Sequence, residues 1–186
     1  MSTATIPAVG QLTGTYTIDP SHSRLGFVAR HAMVTKVRGG FNDFAGTFTV
    51  ADDVADSNAE LTIQAASVDT RNADRDEHLR SNDFFAMEEH PEIRFASTSI
   101  ERVDDANYRV TGDLTLRGVT KPVTIDLEYA GTATDPWGNT RVGFEGSTAV
   151  NRKDWGLVWN AALDGGGILV SEKITLEFEI SATKDA

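Results

Sequence analysis

Few side chains in this sequence have the type and spacing to do chemistry. Its 4 histidines are His22, His31, His78 and His90, and it has no cysteine. Disulfides, thiolate nucleophiles and thiolate metal sites are therefore excluded. The histidines lack the local spacing of a metal site, such as two histidines four apart on a helix. There is no Gly-x-Ser-x-Gly elbow, and Gly165-Gly166-Gly167 lacks the lysine of a phosphate loop. Ser21-His22-Ser23 sets hydroxyls beside an imidazole, but adjacent residues seldom point together, so His22 is expected to stabilise the turn after Asp19-Pro20.

His31 is the sharper candidate. Written as a strand, Ser23–Met33 puts Leu25, Phe27, Ala29, His31 and Met33 on one face. A buried ring nitrogen without a partner costs about 1–3 kcal/mol. His31 therefore either donates to a polar atom of a bound molecule or pairs within the fold. With a neighbouring acid it would give the alternative function, a hydrolase or isomerase acting on an amphiphile. Arg152, beside Asn151 at a strand end, either neutralises an anionic head group or bridges to Asp154 or a helix acid. Arg75 and His78 are expected to cap, pair and face solvent.

The elements that must position these groups are mostly strands. Alternation runs through Phe44–Val50, Leu61–Ala65, Ile93–Val103, Tyr108–Leu116, Val123–Tyr129, Val142–Val150 and Ile174–Ile180. Arg117-Gly118 reads as a tight hairpin turn. Val34–Gly40, with two glycines, reads as a break, and Asn151–Ser171 as irregular. Asn72–Met87 is the one helical stretch, capped by Asn72, acidic in its first turn and split near Ser81-Asn82-Asp83. About eight antiparallel strands, each apolar on one side, form a sandwich or a closed barrel. Gly112 and Gly146 on the inward face either leave open space or mark bulges.

With 186 residues the chain suits one domain, and a net charge of −11 argues against binding nucleic acid or anionic membrane surfaces. No apolar run approaches a membrane span. The N-terminus has neither a basic start nor an apolar core of signal-peptide length, so a cytoplasmic location is expected.

The chain resembles the YceI-like family of polyisoprenoid-binding proteins. The resemblance is carried by Tyr16-Thr-Ile-Asp-Pro-Ser-His22-Ser, by Phe27 with His31, and by Val37-Arg-Gly-Gly-Phe-Asn-Asp-Phe-Ala-Gly46. Ser67-Val-Asp-Thr70, Arg75-Asp-Glu-His-Leu-Arg-Ser-Asn-Asp-Phe-Phe85 and Pro91-Glu-Ile-Arg-Phe95 continue it. Gly112-Asp-Leu-Thr-Leu-Arg-Gly-Val-Thr-Lys-Pro-Val123 and Asn151-Arg-Lys-Asp-Trp-Gly156 complete the ordered set.

The resemblance implies an all-β fold, a roughly eight-stranded antiparallel lipocalin-like β-barrel with one or two short helices. Residues 1–13 would be a flexible leader, 14–183 the barrel and 184–186 a tail. It implies non-catalytic binding or carriage of a polyisoprenoid, an isoprenoid quinone or a similar lipid, often in a homodimer. No cofactor is expected beyond that bound lipid, such as a polyprenyl phosphate. The expected tunnel wall is Phe27, Phe44, Phe48, Ile63, Phe95, Leu114, Ile125 and Phe144, joined by His31 and Arg152. Trp155 and Trp159 either cover the mouth or cap the core.

Overall fold

The structure is a computed structural model and describes residues 12–163, 167 and 169–185. Alternating apolar and polar residues fold into strands that bury one face and wet the other. In chain order these are β1 (Gly14–Ile18), β2 (Arg24–His31), β3 (Thr35–Phe41), β4 (Phe44–Val50), β5 (Asn58–Gln64), β6 (Val68–Asp69), β7 (Glu92–Arg102), β8 (Asn107–Leu116), β9 (Val119–Thr134), β10 (Thr140–Asn151) and β11 (Lys173–Lys184). Eight of them close an antiparallel barrel in the order β1-β4-β5-β7-β8-β9-β10-β11, with β11 returning to β1. β2, β3 and β6 continue from β11 beside this closure, extending the β1, β4 and β5 positions toward the barrel's far end. Closure leaves the eight ring strands without free edges.

The expected Arg117-Gly118 hairpin is present. Both residues have positive φ, 52° and 73°, as a two-residue turn with the twist of its strands requires. Val34–Gly40 is different: it is not a break but most of β3. Its glycines looked like turn residues, yet a Cβ on Gly39 would lie 2.4 Å from the Phe27 ring. Gly39 is there so that the ring can lie across the neighbouring strand. Gly112 follows the same logic, since its missing Cβ position is 2.5 Å from the Phe95 ring. At Gly146 that position is 2.7 Å from Leu127 Cδ2 and 2.4 Å from a backbone oxygen. These two glycines accommodate neighbours and do not create the open space inside the barrel.

One α-helix, α1 (Ala73–Arg80), packs at one end, with the Asn72 side chain accepting from the Arg75 N–H. The expected second helical piece after Ser81–Asp83 is a series of turns in which Ala86 has φ 48°. That reversal buries Phe84 and Phe85 together. Residues 1–11 of the expected leader lie outside the described residues. Leu12 is buried and accepts from the Tyr16 hydroxyl.

A polar clasp ties the strand break between β1 and β2 to the β9–β10 hairpin. Asp19 accepts from the Ser21 hydroxyl and N–H and from Arg141, which also donates to Asp135. The Ser21 hydroxyl and then Arg141 hold the Asp19 carboxyl far below the usual carboxylate range, against the opposing effect of burial. A carboxyl so depressed stabilises the fold above its unfolded value of about 3.9, and this is lost as pH falls toward the folded value. Asp19→Asn should therefore lower Tm by a few degrees at neutral pH. The gap to the parent should narrow steadily in thermal melts taken below about pH 4.

Candidate functional site

Inside the barrel is a cavity of about 330 Å³, near the lower end of the roughly 300–1,000 Å³ typical of ligand sites. Its lining is almost wholly apolar. It reaches from Leu12, Val50 and Tyr108 at one end to Leu79, Trp155 and Val170 at the other. Along β8 the lining runs from Tyr108 to Leu116, which is about 27 Å of strand and about 20 Å of barrel axis at normal strand tilt. The shape suits one slender chain.

The alternating strands explain why the wall stays open. Phe48, Phe95, Leu114, Ile125 and Phe144 point inward between solvent-facing neighbours, yet each is only partly buried. In a filled core these would be the most buried residues of their strands. Phe27, Phe48, Ile63, Phe95, Leu114, Ile125 and Phe144 all line the cavity. Phe44 is buried but packs outside the cavity wall. Phe85, Leu176 and Phe178 line it as well. β11's alternation already marked Leu176 and Phe178, while Phe85 depends on the turn after α1.

The end near Leu12 is packed with aromatics. Tyr16 stacks on Phe48 at 5.0 Å, and Phe144 meets Phe48 at 5.8 Å, Tyr129 at 5.6 Å and Tyr108 at 6.2 Å. Burial, with Tyr16 and Tyr108 beside it, pushes the Tyr129 phenol up to about 12, so it stays protonated and hydrogen-bonds with Thr132.

The opposite end is built around Arg152 and Trp155. Both lie in the single turn Arg152–Trp155 and both line the cavity. Trp155 is 2% exposed and donates from Nε1 to the Leu114 carbonyl at 2.9 Å, so it caps the core. Arg152 is 4% exposed and donates to three backbone carbonyls, those of Leu157, Val170 and Ser171. The expected bridge to Asp154 or a helix acid is absent among the described residues. Burial pulls its guanidinium below the ordinary value, with Glu172 opposing. Three of its five N–H groups are thus used. Trp159 lies outside the lining, edge-on to His78 at 4.6 Å and beside Phe84 at 5.6 Å, and fastens its segment to α1.

His31 is not set into the cavity. It is the exposed last residue of β2, paired with Thr35 and bridged to Val170. Strand alternation gives its face correctly but cannot tell that β2 ends at the rim. Among the described residues no carboxylate lies within ion-pair distance of it. Ser21, His22 and Asp19 do come together, but both contacts of His22 use Nδ1, at 3.0 Å to Ser21 and 2.8 Å to Asp19. A relay needs the acid and the hydroxyl on opposite nitrogens. Arg75 donates twice to Thr70, and Asp76 accepts from Thr70, so this motif pins α1 to the barrel. No group of three or more metal-ligating side chains occurs among the described residues.

The family model for the YceI-like domain matches residues 16–182. A UPF0312 protein of Photorhabdus laumondii is 43% identical over 151 residues, covering 80% of this chain and 78% of that protein. The crystal structure of Burkholderia cenocepacia BcnA superposes with a TM-score of 0.78 at 23% identity, covering 89% of this chain and 99% of the other. A polyisoprenoid binding domain from Saccharophagus degradans, implicated in plant cell wall breakdown, gives a TM-score of 0.70 at 16% identity, covering 91% and 98%. At these identities the two structures establish the shared fold.

Proposed function

Because the chain belongs to the YceI-like family, we propose that it binds one long apolar amphiphile inside the barrel and holds or carries it without changing it. The observation that carries this reading is a slender, almost wholly apolar cavity with a buried guanidinium at one end. Burying a chain there gains about 0.8 kcal/mol per CH₂, with no reactive group required. A polyisoprenoid or an isoprenoid quinone fits this chemistry, and the Saccharophagus degradans domain of the same fold is described as polyisoprenoid binding. The two N–H groups that Arg152 leaves without a partner among the described residues would donate to a phosphate or a quinone oxygen at the polar end of the ligand.

Protein purified from its native cells and extracted with organic solvent should yield a stoichiometric apolar chain by mass spectrometry. An empty protein that also takes up neither prenyl phosphates nor quinones would overturn the proposal.

A further inference from the structure

The β2–β3 hairpin has a charge and a surface unlike the rest of the molecule. From Pro20 to Asn42 the chain carries Arg24, Arg30, Lys36 and Arg38 and no acid, in a protein of net charge −11. Arg38 lies 3.7 Å from Glu177, and Arg24 sits opposite Glu179 across the strand pair. Arg30 and Lys36 face each other across the hairpin, and neither has a carboxylate within ion-pair distance among the described residues. Between them protrudes an apolar tip, with Met33 62% and Val34 74% exposed. Ala32 and Met33 both hold positive φ, 52° and 63°, an uncommon conformation for residues with a Cβ. Strain of this kind persists where the surroundings enforce it. Here the Ala32 N–H donates to Leu169, Ser171 donates to the Arg30 carbonyl, and His31 bridges to Val170.

The tip also stands beside the Arg152 end of the cavity. Val170, bridged to His31, and Ala29, two residues before it on β2, both line that cavity. Exposed Val158 belongs to the same rim, because Arg152 and Asn160 tie its segment to Val170. Turns toward the other end carry Asp52, Asp53, Asp56, Asp104 and Asp105. Acids also lie at the Arg152 end, on α1 and at Asp154 and Glu172, so the positive patch is confined to the hairpin itself.

We infer that the β2–β3 hairpin docks the protein on an anionic lipid bilayer. Met33 and Val34 enter the interface, Arg30 and Lys36 lie among the head groups, and the Arg152 end of the cavity faces the membrane. The hairpin departs locally from what the net charge suggests, because from Pro20 to Asn42 it carries four cations and no acid, and screening confines each charge's reach to about 8 Å at physiological salt. Paired cations alone would also suit nucleic acid, but an exposed apolar tip between them suits a bilayer interface. Docking itself stands on the hairpin. Its purpose, passing a chain between bilayer and cavity, rests on the function proposed above.

The test is co-sedimentation of the whole protein with vesicles of equal parts phosphatidylglycerol and phosphatidylcholine, and with phosphatidylcholine alone. Binding is expected to the anionic vesicles only, and to be lost at about 0.5 M salt. Arg30→Gln with Lys36→Gln should weaken it roughly twenty-fivefold, about fivefold per cation. Met33→Ser with Val34→Ser should weaken it about tenfold or more. Trp137→Ser, which alters the 81% exposed tip of the β9–β10 hairpin, should bind like the parent. Each variant is compared at equal Tm, which separates docking from folding. Equal binding to both vesicles, no binding to either, or competition by duplex DNA at equal phosphate would overturn the inference, as would a loss in Trp137→Ser as large as in the hairpin variants. Uptake of a prenyl phosphate in detergent is read separately: a protein that docks but takes up no chain refutes the ligand reading alone, and one that takes up chain but does not dock refutes only the docking.

Discussion

Ile125→Trp should abolish chain binding while leaving the barrel folded. Ile125 lies on β9 between Thr124 and Asp126, which face water, and it lines the cavity while remaining only partly buried. An indole at that position would occupy space that a ligand chain otherwise fills. If it displaces about four CH₂ equivalents, the loss is about 3 kcal/mol, or roughly two hundredfold in affinity. The stability readout separates this from simple damage. In a close-packed core, forcing in a larger side chain costs about 1–3 kcal/mol. In an open cavity the new ring gains contacts that Ile125 lacks, so urea midpoints should stay level or rise. Titration with a fluorescent prenyl phosphate and urea unfolding of the same sample check both halves. Retained binding would refute the ligand site, and a fall in stability of 1–3 kcal/mol or more would mean that the barrel interior is filled.

The barrel could be read from the chain because its strands obey a period of two, and β8, β9 and β11 keep that period with little interruption. What alternation cannot reveal is depth. It gave His31 and Phe27 the same face, and only the length of β2 decides that Phe27 lines the cavity while His31 reaches the rim. Gly39 and Gly40 misled for a related reason. A strand glycine and a turn glycine look alike until the ring that crosses one of them is known, and here it belongs to Phe27 on the neighbouring strand. The same long-range packing accounts for Gly112, whose missing side chain makes room for Phe95. Arg152 was recognisable as an unusual cation, but its partners are backbone carbonyls, which no side-chain pattern records.

Those carbonyls make Arg152 the residue whose loss should cost the fold most at the site. Its guanidinium is nearly inaccessible, and its three donated bonds reach Leu157 on one side of the irregular segment and Val170 and Ser171 on the other. Truncation to alanine removes all three donors at once from carbonyls in a poorly hydrated place. The Val170 carbonyl keeps the Asn160 amide as a donor, so two carbonyls are left unpaired at about 1–3 kcal/mol each, and Arg152→Ala should destabilise by about 2–4 kcal/mol after partial relaxation. Arg152→Lys keeps the charge but replaces a planar fork with one compact ammonium, and should recover less than half of that loss. The damage should also be local first. Val170 bridges to His31 and Ser171 bonds to Arg30, so the released segment takes the β2 end with it. Hydrogen exchange should quicken at Ala32 and Ser171 before it does in β8 or β9, whose ladders do not depend on Arg152. Arg152→Ala melting like the parent, or losing protection evenly around the barrel, would show that this arginine does not hold the cavity's end in place.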